Sequence, residues 1–146
     1  MPFDYTRPIR FHETDGAGVV YFANGLVLCH EAYEASLEAA GIGLREFFSP
    51  TDLAYPITHA SIDFRRPLYC GDRIVIVLTP EQSDEGSFEI AYRLHRAEAP
   101  DKVVATAQTH HVCIEAQMRS RHPLPENVLA WIQQFGSKTQ DELNDL

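Results

Sequence analysis

Cysteine is scarce in this chain: Cys29, Cys70 and Cys113 are odd in number, far apart, and include no Cys-x-x-Cys pair. That excludes a disulfide framework or a zinc ribbon, and the thiols read as reduced side chains of a cytoplasmic protein. Basic charge is short as well. Twelve Lys and Arg face 21 Asp and Glu, a formal net charge of −9. The chain therefore lacks the cationic excess that a general nucleic-acid or membrane-surface binder needs. A few well-placed cations would still suffice for an anionic ligand, and Arg65, Arg66, Arg93 and Arg96 are candidates beside the plainer reading of solvated charges on strand edges. No apolar run approaches the roughly 20 residues that span a bilayer. The opening Met-Pro-Phe-Asp-Tyr-Thr-Arg-Pro has no apolar signal core either. Neither nucleic acid nor membrane is an expected partner.

Familiar catalytic signatures are missing too. There is no GxSxG, no P-loop and no GxGxxG. His30-Glu31-Ala32-Tyr33-Glu34 falls short of the HExxH zinc motif, because Glu34 stands where the second histidine belongs and nothing supplies a third ligand. His110 and His111 are neighbours in a strand-like stretch. Adjacent strand residues point to opposite faces, so the two cannot grip one metal and read as one surface and one core-edge histidine. No metal site is expected.

What is present suits one globular domain spanning residues 1–146, with 45% hydrophobic and 23% charged residues and neither internal repeat nor linker. Tyr5 to His12 reads as a short strand, with Pro8 suggesting an edge or a strand start. Glu13-Thr14-Asp15-Gly16-Ala17-Gly18 is a loop of small residues. The clearest element follows. Phe22, Leu26, Cys29, Tyr33, Leu37 and Ala40 draw one apolar stripe at helical period, Glu31, Glu34 and Glu38 fall opposite, and Gly41 marks the stop. Strands are then expected over Ile57–Leu68, Arg73–Thr79, Ser87–Arg96 and Lys102–Ala116, with turns at Gly71-Asp72, Asp84–Ser87 and Pro100-Asp101. Pro125 to Phe135 suggests a closing helix. The order predicts an α+β protein: five antiparallel strands in meander, wrapped around one long helix. Such a sheet leaves an edge exposed, so a homo-oligomer, dimer or tetramer, is expected.

Asp15 has two readings. It can serve the local backbone as a turn aspartate. It can also be catalytic, because seven residues on, at Phe22, the long helix begins. A helix start carries unpaired N–H groups and the positive end of the dipole, which suit a developing oxyanion. A carboxylate and an oxyanion site brought together by one loop can act on a carbonyl without a metal.

The segment His12-Glu13-Thr14-Asp15-Gly16-Ala17-Gly18-Val19-Val20-Tyr21-Phe22-Ala23-Asn24 resembles the active-site segment of the 4-hydroxybenzoyl-CoA thioesterase family. Phe64-Arg65-Arg66-Pro67-Leu68-Tyr69-Cys70-Gly71-Asp72 resembles that family's second strand and turn, so the resemblance covers roughly Tyr5 to Glu115. It implies the hotdog fold and cofactor-free hydrolysis of an acyl-CoA, with coenzyme A as part of the substrate. Asp15 falls on the family's catalytic aspartate and the Phe22 N–H on its oxyanion donor. The wording Tyr-Phe-Ala-Asn and Cys-His-Glu-Ala-Tyr-Glu-Ala-Ser-Leu is similar to the branch that hydrolyses 1,4-dihydroxy-2-naphthoyl-CoA in phylloquinone (vitamin K1) biosynthesis. On that resemblance Tyr21 would wall the acyl group, and His30, where many members carry an acid, would meet an aromatic hydroxyl. The alternative for His30 is a core-edge histidine bonded to a backbone carbonyl. The rival functions are a broad short-chain acyl-CoA or acyl-carrier-protein thioesterase and a non-catalytic acyl-CoA-binding regulator; a dehydratase fits the loop less well.

Overall fold

A computed structural model describes residues 1–49 and 51–137. The strands are β1 (Phe3–Pro8), β2 (Leu53–Ala54), β3 (Ile57–Phe64), β4 (Arg73–Asp84), β5 (Ser87–Arg96), β6 (Val103–Val112) and β7 (Ile114–Glu115). The helices are α1 (Phe22–Ala39), the single turn α2 (Leu44–Phe47) and α3 (Glu126–Phe135). Five strands form one antiparallel sheet in the order β1-β4-β5-β6-β3, while β2 and β7 make a small second ladder.

Period-two patterning fixes which face of the sheet is inward. On β4, Ile74, Ile76 and Leu78 are fully buried while Val75, Val77 and Thr79 face partly outward. β5 contributes Phe88, Ile90, Tyr92 and Leu94 to the same face, and β6 contributes Ala105, Ala107, Thr109 and His111. α1 lies on that face and touches β1 and β3, the strands at opposite edges, as well as β4. A helix can reach both edges of a five-stranded sheet only if the sheet curls around it. This is the α+β hotdog arrangement the sequence predicts. The approach is closest at Gly25, where a Cβ would lie 2.6 Å from Phe64 Cζ and 2.7 Å from Ile62 Cδ1. α3 closes one end by burying Val128, Trp131 and Phe135, and Trp131 Nε1 donates to Ser36 Oγ on α1 at 2.9 Å.

The first strand stops at Pro8 and not at His12, since Phe11–Glu13 form a 3-10 turn, and three larger details depart from the sequence reading. The strands do not form one simple meander: β4, β5 and β6 do, but β3 pairs with β6, because β1 already occupies the free edge of β4. The chain must therefore cross from one sheet edge to the other between Phe64 and Arg73. The crossing strap is buried at Leu68 and tied by Ile9 N–H to Asp72 O (2.7 Å) and Gly71 N–H to Ile9 O (2.8 Å). Second, the buried face of α1 is wider than the expected stripe and shifted. Leu28, Ala32 and Ser36 are buried beside Cys29, Tyr33 and Leu37, whereas Phe22 is 66% exposed because the start of α1 carries it away from the core. Third, the last long strand breaks at Cys113 into β6 and β7. The helix ends where expected, with Gly41 N–H on Glu38 O and Ile42 N–H on Leu37 O, each at 2.9 Å.

Candidate active site

Asp15 sits at the tip of a tight hairpin. Its N–H donates to Val19 O and its carbonyl accepts from Gly18 N–H, both at 2.9 Å, and Thr14 bridges Val20. This is a three-residue loop, and its third residue must take a left-handed conformation. Gly18 has φ +81°, which glycine adopts at no steric cost. One carboxylate oxygen, Oδ1, accepts from Ala17 N–H at 2.8 Å. The turn reading of Asp15 is what this geometry shows: Oδ1 holds the turn, and Oδ2 makes no hydrogen bond among the described residues. The side chain is exposed.

The hairpin is pinned to the start of α1. Tyr21 N–H (2.9 Å) and Asn24 Nδ2 (3.0 Å) both donate to Glu13 O. Val20 N–H donates to Leu68 O of the strap at 2.9 Å. Glu13 is the anchor, and the sequence reading missed it. It is 7% exposed, accepts from Arg10 N–H at 2.8 Å, and forms an ion pair with Arg7 of β1, which also pairs with Glu31 of α1. No sequence signal could identify this cluster, because its members meet only when strand, loop and helix pack. Phe22 N–H, at the first position of α1, has no acceptor among the described residues, whereas Asn24 N–H is already turned back on Tyr21 O. The folded loop thus carries an exposed carboxylate and leads into a helix whose first N–H has no acceptor among the described residues.

Between α1 and the sheet lies a largely apolar groove of about 440 Å³. Leu26, Val27 and His30 line it from the helix, with Glu31 and Glu34, and Ile57, Ala60, Tyr92 and Thr109 line it from the sheet. At 1.5 Å per residue, Leu26 lies about 6 Å and His30 about 12 Å beyond Phe22 along the axis. His30 packs edge-on against Tyr33, with ring centroids 5.3 Å apart, and its Nδ1 lies 3.5 Å from the Glu34 carboxylate. No hydrogen bond to a backbone carbonyl holds it among the described residues; its polar neighbour is this carboxylate, one turn along α1. Tyr21 is 44% exposed, packs edge-on against Phe22 at 4.8 Å, and lies outside the groove that holds His30.

A second recess, of about 240 Å³, lies between Val19–Val20 and the strap, lined by Phe64, Arg65 and Arg66. Arg65 and Arg66 are exposed and make no ion pair among the described residues. The other two candidate arginines are engaged. Arg93 donates to Pro100 O at 2.9 Å, and Arg96 pairs with Asp72 at 3.2 Å. His110 and His111 separate as expected. His110 is half-buried with Nε2 2.7 Å from Glu89, while His111 is fully buried. Among the described residues no three His, Cys, Asp or Glu side chains cluster as metal ligands, and no helix is long and apolar enough to cross a membrane.

Comparison with known proteins bears on this arrangement. The family model described as the thioesterase-like superfamily matches residues 9–132. The chain belongs to that superfamily. A protein of Nostoc punctiforme named 1,4-dihydroxy-2-naphthoyl-CoA hydrolase is 50% identical over 133 residues, 91% of this chain and 88% of the relative. One of the same name from Rippkaea orientalis is 53% identical over 129 residues, 88% of this chain and 94% of the relative. The crystal structure of the 1,4-dihydroxy-2-naphthoyl-CoA thioesterase from Synechocystis superposes with a TM-score of 0.86 at 43% identity, covering 91% of this chain and 96% of that one. A gentisyl-coenzyme A thioesterase, at 22% identity and TM-score 0.75, shares the fold. This member of the superfamily is a thioester hydrolase, as the loop and helix arrangement suggests.

Proposed function

We propose that this chain hydrolyses 1,4-dihydroxy-2-naphthoyl-CoA to 1,4-dihydroxy-2-naphthoate and coenzyme A, a step of phylloquinone biosynthesis, without a resident cofactor. The observation that carries the reading is the pinned hairpin, in which the Asp15 carboxylate precedes, by one short loop, a helix whose first N–H, that of Phe22, has no acceptor among the described residues. The relatives that bear this activity in their names support the choice of substrate.

In this mechanism the thioester oxygen takes the Phe22 N–H, where the helix dipole offsets negative charge as the carbonyl carbon becomes tetrahedral. Asp15 drives attack by one of two routes. As general base it removes a proton from water, whose oxygen bonds to the carbonyl carbon. As nucleophile it bonds to that carbon itself, giving a mixed anhydride that water then opens. In both, the C–S bond breaks and coenzyme A leaves as a thiolate that takes up a proton. Single turnover in ¹⁸O-water separates the routes: label found in the Asp15 carboxylate requires the anhydride.

The acyl rings lie in the groove along α1, with His30 near their far edge, and Tyr21 shields the mouth at the helix start. Arg65 and Arg66, without a carboxylate partner among the described residues, would meet the coenzyme A phosphates. The working form is a homo-oligomer, dimer or tetramer, built through β3. That strand is an exposed sheet edge along almost its whole length, with Ile57 44% and Phe64 42% exposed. An open edge carrying apolar side chains is a surface for pairing with a second copy. A panel of acyl-CoA substrates tests the assignment. Turnover of 1,4-dihydroxy-2-naphthoyl-CoA should exceed that of short aliphatic acyl-CoAs and acyl-carrier-protein thioesters by kcat/KM, and the reverse order would point to the broad thioesterase instead.

A further inference from the structure

Behind the groove lies a chain of polar groups that the mechanism does not use. Thr109 Oγ1 is 2.8 Å from His111 Nε2 and 3.3 Å from the Tyr92 hydroxyl, and all three residues are buried. Tyr92 and Thr109 line the groove with His30, while His111 lies deeper, stacked on Phe88 with centroids 4.6 Å apart at 10°. His111 Nδ1 and the Tyr33 hydroxyl are the two buried side-chain polar atoms without a partner among the described residues, and the rings that carry them are 5.1 Å apart.

This arrangement gives the chain a direction. Burial, followed by the positive potential of His30 and His110, pushes the His111 pKa down to about 3, so the ring is neutral, with one donor and one acceptor nitrogen. A proton on Nδ1 would be a buried donor with no acceptor, which proteins avoid more strictly than an unused lone pair. The proton therefore sits on Nε2 and is donated to Thr109 Oγ1. The Thr109 hydroxyl is then free to donate to Tyr92, which leaves the phenol's own proton for an acceptor in the groove that Tyr92 lines. Burial raises the Tyr92 pKa, so this phenol keeps its proton.

We propose that Tyr92 is a specificity-determining residue that offers the acyl group a hydrogen-bond donor, and that His111, through Thr109, is the positioning residue that fixes the donor's direction. The ligand chemistry this selects is an aromatic acyl thioester with an acceptor oxygen, hydroxyl or keto, on its ring system, as 1,4-dihydroxy-2-naphthoyl-CoA carries. The inference rests on the aromatic acyl-CoA reading above and deepens it.

The test compares 1,4-dihydroxy-2-naphthoyl-CoA with 2-naphthoyl-CoA, which has the same rings and no ring oxygen. Tyr92→Phe should lower kcat/KM for the hydroxylated substrate about tenfold more than for the unsubstituted one, the loss expected of a single hydrogen bond. His111→Phe should compress the same ratio. His111→Gln, which can still donate to Thr109, should restore most of it, as a merely structural role would not. Equal loss on both substrates, or a ratio unmoved by Tyr92→Phe, overturns the proposal while leaving the assigned activity intact. Wild-type enzyme that turns over aliphatic but not aromatic thioesters overturns the assigned activity and this proposal with it.

Discussion

Asp15→Asn removes one charge from the site and very little else. The turn hydrogen bond from Ala17 N–H, 2.8 Å to Oδ1, survives because an amide oxygen accepts as a carboxylate oxygen does. The side chain is exposed, so stability should change by no more than about 0.5 kcal/mol and Tm by about 2 °C. Chemistry should suffer far more. Loss of a positioned base lowers the rate by roughly 10²- to 10⁴-fold, which at about 1.4 kcal/mol per tenfold raises the barrier by roughly 3–5 kcal/mol. The assay is coenzyme A thiol release, read with a chromogenic disulfide at saturating 1,4-dihydroxy-2-naphthoyl-CoA, alongside a thermal melt. Because the substitution creates an Asn-Gly pair that deamidates back to aspartate, fresh protein is checked by mass. Asp15→Ala is the companion: it also breaks the turn bond and should cost about 1 kcal/mol more in stability for the same loss of rate. An Asp15→Asn enzyme retaining a third or more of the wild-type rate at unchanged Tm would refute a catalytic Asp15. Rate lost only in proportion to Tm would reduce it to a turn residue.

Glu13→Gln should destabilise the protein by about 3 kcal/mol, the low end for breaking a buried ion pair, because Arg7 keeps Glu31 as a second partner; chemical denaturation measures it, and a loss under about 0.5 kcal/mol would show that the anchor is dispensable. His111 makes stability depend on pH with a defined sign. Its pKa falls from 6.5 to about 3 on folding, so between those values the unfolded chain binds a proton that the native one does not, and stability is lost as pH falls. From pH 7 to pH 5 this amounts to about 2 kcal/mol, which His111→Gln should abolish in urea titrations at the two pH values. Charges on the open edge strand, Ile57→Lys with Phe64→Glu, should give monomers by light scattering; an unchanged oligomer would place the interface elsewhere.

Much of this molecule was legible from local pattern alone. The 3.6-residue spacing from Leu26 to Leu37, the glycine stop at 41 and the β-branched run after Gly71 each reflect short-range sterics and burial, which a linear sequence records. The same holds for Asp15 among Gly16, Ala17 and Gly18 and its distance from Phe22, since a hairpin and a helix start are decided within a dozen residues. Strand order was not legible. β3 and β4 follow one another along the chain, yet β4 takes β1 as its neighbour and β3 goes to the far edge, a choice made by packing across the whole sheet. Partnerships between distant residues were equally hidden. Glu13 gave no sign that Arg7 and Arg10 would hold it buried, nor did Thr109 that it would join Tyr92 to His111. Tyr21 and His30, both named from the sequence, do not share a pocket: His30 lines the groove and Tyr21 lies outside it. Local pattern thus accounts for the loop with its carboxylate and for the helix that follows, because each depends on near neighbours. The loop's anchor and the lining of the groove follow from packing alone, because those are free-energy balances among side chains far apart in the chain.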